Sequence, residues 1–329
     1  MPDASTTSAT TNFDKTVQTL IRKTLEELLR APLPHLSPDS FEHAEHVAGS
    51  NGTMRFLNYP DLVVDDAEVA ASLVQVEGEP NDTDDLAIGY EEFTTRQRMK
   101  TLRFTDVAML KSPQRLFAIG AERLARYVME LADKIAANKI VTGTNVIYGG
   151  VGNAATGDVA AGDVMTSTLI KRAVALNEAG NIPRFGADDS YRGILHPYVK
   201  FDVELDDDAG GWIDSQRYAS PGNLLTGELG KYAGVRFATS SKAAVKAASG
   251  AGGIDVYSTV IHGPRYFALG DFGNNETFVT PPGGHDDPGH QSALITWKGW
   301  LDCVIMGEGT NATNVTDPRY IRIETAASI

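Results

Sequence analysis

The sequence contains a single cysteine, Cys303, among its 329 residues. One cysteine cannot form an intramolecular disulfide, so a small disulfide-stabilised secreted fold is excluded and a reducing compartment is the expected setting. Basic residues are also few, since 29 Lys and Arg stand against 43 Asp and Glu, a net charge of −14. This balance excludes the strongly basic surface typical of proteins that bind nucleic acid or anionic membranes tightly.

Long hydrophobic runs are missing as well. No stretch of about 18 apolar residues is present, so the sequence predicts no membrane-spanning helix. The first ten residues are small and polar, without the basic start and apolar stretch of a signal peptide, and they predict a loose tail. Apolar residues nevertheless make up 42% of the chain, which predicts a folded protein of about two structural units.

The first third of the chain combines a helix, an arm and short strands. Helical spacing of apolar residues predicts a helix over 13–29, and residues 33–52 have little periodicity and predict an extended arm rather than a packed element. An acidic turn signal at 77–85 predicts a hairpin with an exposed acidic tip. The β-prone runs of this region are 54–57, 72–76 and 103–105.

One long helix is the clearest element. Ser112 is placed as its N-cap, Pro113 as its first residue, and apolar residues repeat every three or four positions to about Asn138. At about 1.5 Å per residue such a helix is some 40 Å long, which is typical of the backbone of a flat molecule. Its buried stripe is predicted to contain Leu124, Val128 and Leu131.

The remainder is predicted to be mainly β-structure. A glycine-rich passage over 143–162 precedes a second helix at 168–179, and an Ala, Gly and Ser loop covers 242–253. β-branched and aromatic runs predict strands at 256–261, 293–297, 301–306 and 320–323.

The segment 285–290 (HDDPGH) contains the densest group of potential metal ligands. Imidazoles and carboxylates bind zinc, but the surrounding Pro and Gly predict a flexible loop rather than the helix that makes a His-Glu-x-x-His motif persuasive. The favoured interpretation is a solvated loop, and a metal-dependent enzyme using His285 and His290 remains the weaker alternative. His43 and His46 in the arm are equally weak candidates for a metal site, and they imply no catalytic base.

Two glycine-containing stretches resemble nucleotide-binding loops only in part. Residues 145–152 lead from a strand into glycines, but no helix pattern follows to receive a pyrophosphate. Residues 227–232 share only Gly-Lys with a P-loop, and Tyr232 stands where a Ser or Thr would bind magnesium. Cys303 lies in an apolar strand and is expected to be a buried, inert thiol. We therefore predict no catalytic residue, no cofactor and no metal site.

Three stretches of the second half resemble the major capsid proteins of tailed bacteriophages, and in particular the N-four type coat-protein family. They are residues 181–183 (NIP), 191–199 (YRGILHPYV) and 225–237 (LTGELGKYAGVRF). The resemblance implies an α+β protein with the Hong Kong 97-type capsid fold. Within the motif, His196 is expected to end a strand and Pro197 to begin a helix through Tyr198, Phe201 and Leu205.

On this resemblance the chain divides into five parts. They are the N-terminal helix and arm over 1–52, the extended β-hairpin loop region over 53–105, the peripheral domain with its spine helix over 106–180, the axial domain over 181–265, and the return strands of the peripheral domain over 266–329.

The resemblance implies a major capsid protein that self-assembles through pentamers and hexamers into an icosahedral head around double-stranded DNA. The expected location is the virion, after assembly in the host bacterial cytoplasm. Scaffolding, portal and decoration proteins are candidate partners, DNA would be enclosed without sequence-specific contact, and no membrane is involved. The alternative is the shell protein of a cargo-enclosing nanocompartment with the same fold.

Overall fold

The structure is a computed structural model that describes residues 34–37, 40–43, 45–46, 53–58, 89–111, 116–186, 189–206, 228–271, 276–280, 282, 289–307 and 319–329. The predicted helix over 13–29, the run 72–76, the acidic turn 77–85, Ser112 with Pro113, and His285 lie outside the described residues.

Helices and strands alternate irregularly along the described chain, as expected for an α+β protein. The helices are α1 (Asp106–Lys111), α2 (Leu116–Ile140), α3 (Ser167–Ala179) and α4 (Pro197–Leu205). The strands are β1 (Phe41–His43), β2 (Glu45–His46), β3 (Thr53–Asn58), β4 (Gly89–Thr94), β5 (Gln97–Thr105), β6 (Val146–Tyr148), β7 (Tyr191–Leu195), β8 (Glu228–Tyr232), β9 (Val235–Thr239), β10 (Val245–Lys246), β11 (Val256–His262), β12 (Phe267–Asp271), β13 (Glu276–Thr280), β14 (Ser292–Ile305) and β15 (Tyr320–Thr325).

The 14-residue strand β14 organises the first sheet, in which it pairs with β5, β12 and β13. The prediction of two separate strands at 293–297 and 301–306 is therefore wrong. Lys298, Gly299 and Trp300 continue the alternation of buried and half-buried positions, and all three pair with β5. Because a strand is defined by pairing rather than by apolar composition, two polar or small residues do not interrupt it.

Helix α2 packs across this sheet and extends to the second one. Near its start it contacts Trp297 of β14, and near its end it packs in a cluster with Val260 of β11. Leu124 and Val128 are buried as predicted, whereas Leu131 is only partly buried. The helix ends at Ile140, close to the predicted end.

The second sheet has the strand order β6-β15-β11-β7-β9-β8, with β10 added to β11. Helices α3 and α4 cover it through a large apolar cluster that includes Ile170, Val199 and Phe237. The predicted second helix is confirmed, and Gly180 forms its C-cap. The predicted loop over 242–253 contains the short strand β10, because its edge position beside β11 supplies hydrogen-bond partners that sequence composition does not reveal.

Two features of the N-terminal region complete the fold. Strands β3 and β4 pair antiparallel from Thr53↔Thr94 to Asn58↔Gly89, so the predicted hairpin is confirmed at its base. The prediction that the arm is not a packed element is wrong, because His35 and Ser40 are buried and β1 pairs parallel with β12. An edge strand offers unpaired backbone groups, and an extended arm satisfies them.

Candidate subunit-contact surfaces

The docked arm, which we define as the described residues 34–37 and 40–43, is held to three elements of the body. The backbone N–H of His35 donates to Asp133 Oδ1 on α2 at 2.9 Å, and His35 Nδ1 lies 3.0 Å from Tyr266 Oη. The N–H of Tyr266 donates to the carbonyl of Ser40 at 3.0 Å. Arg192 on β7 donates from Nη1 to Ser37 Oγ at 3.1 Å. The docked arm is therefore fixed on the body.

The hairpin base is anchored on β12. Met54 of β3 is 1% exposed and packs with Ala268 and Met306, and Phe93 of β4 packs against the same cluster. A side chain at Gly270 would collide with Met54 and Phe93, so glycine allows this close approach. The hairpin base is thus fixed on the first sheet.

The outer face of α2 is polar and open to solvent. Lys242 Nζ donates a hydrogen bond to Glu130 Oε2 at 2.8 Å, and Lys100 Nζ lies 5.3 Å from the ring centroid of Tyr127. Glu122 and Arg126 form an i,i+4 pair at 3.6 Å with both side chains more than half exposed. Exposed pairs of this kind contribute about 0 to 1 kcal/mol, so they do not prevent this face from meeting another surface.

Helix α4 exposes an apolar stripe. Its inner side buries Val199 and Val203, while Tyr198, Phe201 and Leu205 are 43%, 43% and 58% exposed. These three residues are spaced i, i+3 and i+7, so they lie along one side of the helix. An apolar row on the outside of a folded chain is typical of a contact site for another molecule. We call Tyr198, Phe201 and Leu205 the α4 stripe.

His196 has the local role that the sequence predicted. It ends β7, and its Nδ1 caps α4 by accepting the N–H of Tyr198 at 3.2 Å. Its ring contacts the rings of Tyr198 and Tyr257, each at a centroid separation of 4.9 Å. Partial burial lowers the pKa of His196, which favours the neutral imidazole that can accept this hydrogen bond.

A buried ionic network was missed by the sequence analysis. Glu324 on β15 is fully buried and contacts Arg322 Nε at 2.9 Å and Lys246 Nζ at 2.6 Å. Thr156 Oγ1 donates to Glu324 Oε2 at 2.7 Å, and Arg322 Nη1 donates to the carbonyl of Ile140 at 2.7 Å. The network joins the glycine-rich passage, β10, β15 and the end of α2. Its signal in the sequence was the placement of Arg and Glu inside the apolar run of β15.

The predicted metal segment is described only in part. His290 is exposed and has a φ of 51°, and its Nδ1 lies 3.1 Å from the carbonyl of Pro282. Within the described residues, no group of three or more His, Cys, Asp or Glu side chains is arranged to hold a metal ion. His285, the other predicted ligand, lies outside those residues.

The stretches that resembled nucleotide loops have other roles. Gly150 and Gly152 turn the chain after β6 with φ values of 82° and 87°. A short 3₁₀ turn at Thr156–Asp158 follows, and no α-helix begins until Ser167, as the sequence pattern predicted. Residues 228–232 form β8 rather than a phosphate loop. Cys303 is buried, and burial raises its pKa to about 12, so it is an unreactive thiol.

The architecture is similar to solved capsids of three bacteriophages. The capsid of Ralstonia phage GP4 matches with a TM-score of 0.61 and 15% identity over 84% of each chain. The cyanophage Pam1 capsid matches with a TM-score of 0.62 and 13% identity, over 84% of this chain and 85% of that one. The capsid of Helicobacter pylori bacteriophage KHP30, described as acid-stable, has a TM-score of 0.58 and 12% identity over 85% and 86%.

This protein has the Hong Kong 97-type capsid fold. The predicted α+β fold class is therefore confirmed. No protein-family model and no curated protein sequence matches the chain. The more specific resemblance to the N-four type coat-protein family stays a prediction, because identities of 12 to 15% show a shared fold and not a shared family.

The three contact surfaces described above belong to one capsid-type fold. The docked arm and the hairpin base are anchored on β12, and the α4 stripe lies on the outside. In the part of the chain that the structure describes, no helix is long and apolar enough to cross a bilayer. The longest, α2, is amphipathic and buries only one side against the two sheets.

Proposed function

We propose that this protein is the major capsid protein of a tailed bacteriophage and that it self-assembles through pentamers and hexamers into an icosahedral head. The observation that carries the proposal is the fold match to phage capsids over 84% of this chain and a similar share of theirs. A match of that extent covers most of the chain and not one common motif.

The contact surfaces support self-assembly. The α4 stripe leaves apolar side chains on the outside, and burying such side chains against a second copy would contribute favourable free energy at about 25 cal/mol per Å². Obligate interfaces bury about 2,000 Å² or more, and an arm and a hairpin that reach beyond the body are an efficient means of covering such areas.

We propose the same five-part division that the resemblance implies. The arm covers 1–52, the hairpin region 53–105, the peripheral domain 106–180, the axial domain 181–265 and the return strands 266–329. The described elements support it in that α2 lies in the third part and the α4 stripe in the fourth.

The partners and the location follow from the proposed function. The shell would enclose double-stranded DNA without sequence-specific contact, which is compatible with the net charge of −14 because packaged DNA needs no tight binding to the wall. Assembly would take place in the host bacterial cytoplasm with scaffolding and portal proteins, and the mature protein would reside in the virion. We propose a structural role without enzymatic activity, cofactor or metal.

The test is direct observation of assembly. Purified full-length protein should form capsomers or closed shells in negative-stain electron microscopy and multi-angle light scattering. A compact monomer at micromolar concentration, both alone and with a scaffolding protein, would contradict the proposal. Particles that contain a specific enzyme instead of DNA when isolated from the native source would favour the nanocompartment.

A second experiment tests the hairpin. Deleting residues 65–86 removes most of the connection between β3 and β4 while leaving the anchored base intact. We expect a folded protein that forms no closed shells. Normal shells from this variant would show that the hairpin is dispensable for assembly.

A further inference from the structure

Two buried histidines lie where the docked arm meets the body. His35 belongs to the arm and is 1% exposed, and His262 ends β11 and is 0% exposed. Between them lies Tyr266, whose hydroxyl is 3.0 Å from His35 Nδ1 and whose ring stacks on the His262 ring at a centroid separation of 4.0 Å. One side chain thus links an imidazole of the arm to an imidazole of the body.

Neither imidazole has a place for a second proton. His262 Nδ1 lies 2.8 Å from the carbonyl of Gly263, and His35 Nδ1 is taken by Tyr266. The Nε2 atoms of both rings are buried and make no hydrogen bond within the part of the chain that the structure describes. A neutral histidine tolerates this, because one nitrogen carries no proton, but an imidazolium must donate from both nitrogens. Protonation in place would leave a buried charged donor unpaired, which is strongly unfavourable.

The charges around the pair reinforce this effect. His262 and Lys134 on α2 disfavour a positive charge on His35, and Arg192 on β7 disfavours one on His262. Asp133 is the facing carboxylate, and it is already occupied by backbone N–H groups of the arm, including that of His35. Two further titratable groups at the cluster are Tyr266 itself and Cys303 on β14, and burial raises the pKa of both, so both are neutral.

We propose that the His35–Tyr266–His262 cluster is an acid-sensitive latch, which holds the arm on the body at neutral pH and releases it when the histidines become protonated. The arm would leave while the two sheets stay folded, because its attachments are confined to one short segment at the edge of the first sheet. Besides the cluster they are the parallel strand β1, the Ser40 carbonyl, the Arg192 contact with Ser37, the His35 N–H bond to Asp133, and the packing of Leu36 and Phe41 on the body. This inference concerns the subunit alone and does not depend on assembly into a capsid.

The direction of the pH effect follows from linkage. Burial lowers the pKa of His35 from 6.5 to about 3 and that of His262 from 6.5 to about 4. Released histidines bind protons below pH 6.5 while docked ones do not, so docking is fully favoured above pH 6.5 and weakens as the pH falls toward 4. Between pH 7 and pH 5 each imidazole weakens docking about twentyfold, and the pair by a few hundredfold. The raised pKa of Asp133 opposes this, because its protonation favours the docked state.

Hydrogen exchange measured by mass spectrometry tests the latch on the full-length protein. Amide protection of residues 34–43, corrected for the intrinsic pH dependence of exchange, is compared with that of β14 between pH 7.5 and pH 4.5. We expect protection of the arm to fall at least about tenfold by pH 5 while β14 remains protected. Equal loss in both segments, or no loss in the arm, would overturn the proposal.

Variants separate the histidines from general acid effects. His262→Phe keeps an aromatic ring against Tyr266 but cannot titrate, and His35→Gln removes the other titrating group. Each should reduce the pH dependence of arm protection about twentyfold between pH 7 and pH 5. His196→Asn is the matched control, since it removes a histidine remote from the arm and preserves a helix cap. A variant whose β14 is unprotected at pH 7.5 is misfolded. In that case the comparison of arm and β14 protection in the unsubstituted protein decides the test. Unchanged pH dependence in folded His262→Phe and His35→Gln would refute the latch.

Discussion

The buried carboxylate of Glu324 permits a sharp test of the packing described above. Glu324→Gln preserves the size of the side chain and an acceptor for Thr156, but it removes the negative charge between Arg322 and Lys246. Arg322 is 3% exposed, so in this variant its guanidinium would remain buried beside a neutral amide. Its hydrogen bond from Nη1 to the carbonyl of Ile140 would remain. Breaking a buried ion pair from one side typically costs about 3 to 5 kcal/mol.

The matched control is the same substitution at an exposed pair. Glu92 pairs with Arg55 across β3 and β4, with side chains 37% and 38% exposed. Water solvates both groups once the pair is lost, so Glu92→Gln should cost less than about 1 kcal/mol. The two variants differ in burial and not in chemistry.

Urea unfolding of the isolated subunit, followed by tryptophan fluorescence, measures both effects. With an m value of about 3 kcal/mol per M, a loss of about 3 kcal/mol lowers the midpoint by about 1 M. The small effect of Glu92→Gln should vanish in 1 M salt, whereas that of Glu324→Gln should persist because buried charges are screened little. A cost for Glu324→Gln no larger than that of Glu92→Gln would show that the network does not stabilise the fold.

Three further predictions concern a buried residue of α2, the exposed α4 stripe and the predicted metal segment. Leu124→Ala should lower the free energy of unfolding by about 2 to 5 kcal/mol in the same urea assay, because Leu124 is 1% exposed. Arg123→Ala on the exposed side of α2 should change it by no more than about 0.5 kcal/mol. Equal costs would mean that the buried side of α2 is wrongly assigned. Phe201→Glu should leave the unfolding midpoint nearly unchanged but abolish closed shells in electron micrographs, and normal shells would show that the α4 stripe is not a contact. Replacing His285 and His290 with Ala should change neither shell yield nor thermal stability; a matched loss in this variant and under a chelator, with about one metal ion per chain by elemental analysis, would reveal a metal site.

Local sequence patterns were sufficient for the elements whose cause is local. The repeat of apolar residues determined α2 and its buried Leu124, and the proline after His196 determined where β7 ends and α4 begins. Helical periodicity, caps and proline restrictions act over a few residues, so they can be read without knowing the rest of the chain. The motif stretches around 191–199 also indicated the capsid fold before its sheets were known.

Only the tertiary structure decided which distant segments meet. The arm adds to β12 more than two hundred residues away in sequence, and Phe41 stacks on Phe267 as a result. Glu324 contacts Lys246 and Thr156, which lie 78 and 168 residues away in sequence, and His35 contacts Tyr266 at a separation of 231 residues. Pairing of strand edges and burial of charges depend on neighbours in space, and a single sequence carries no period or spacing that identifies those neighbours.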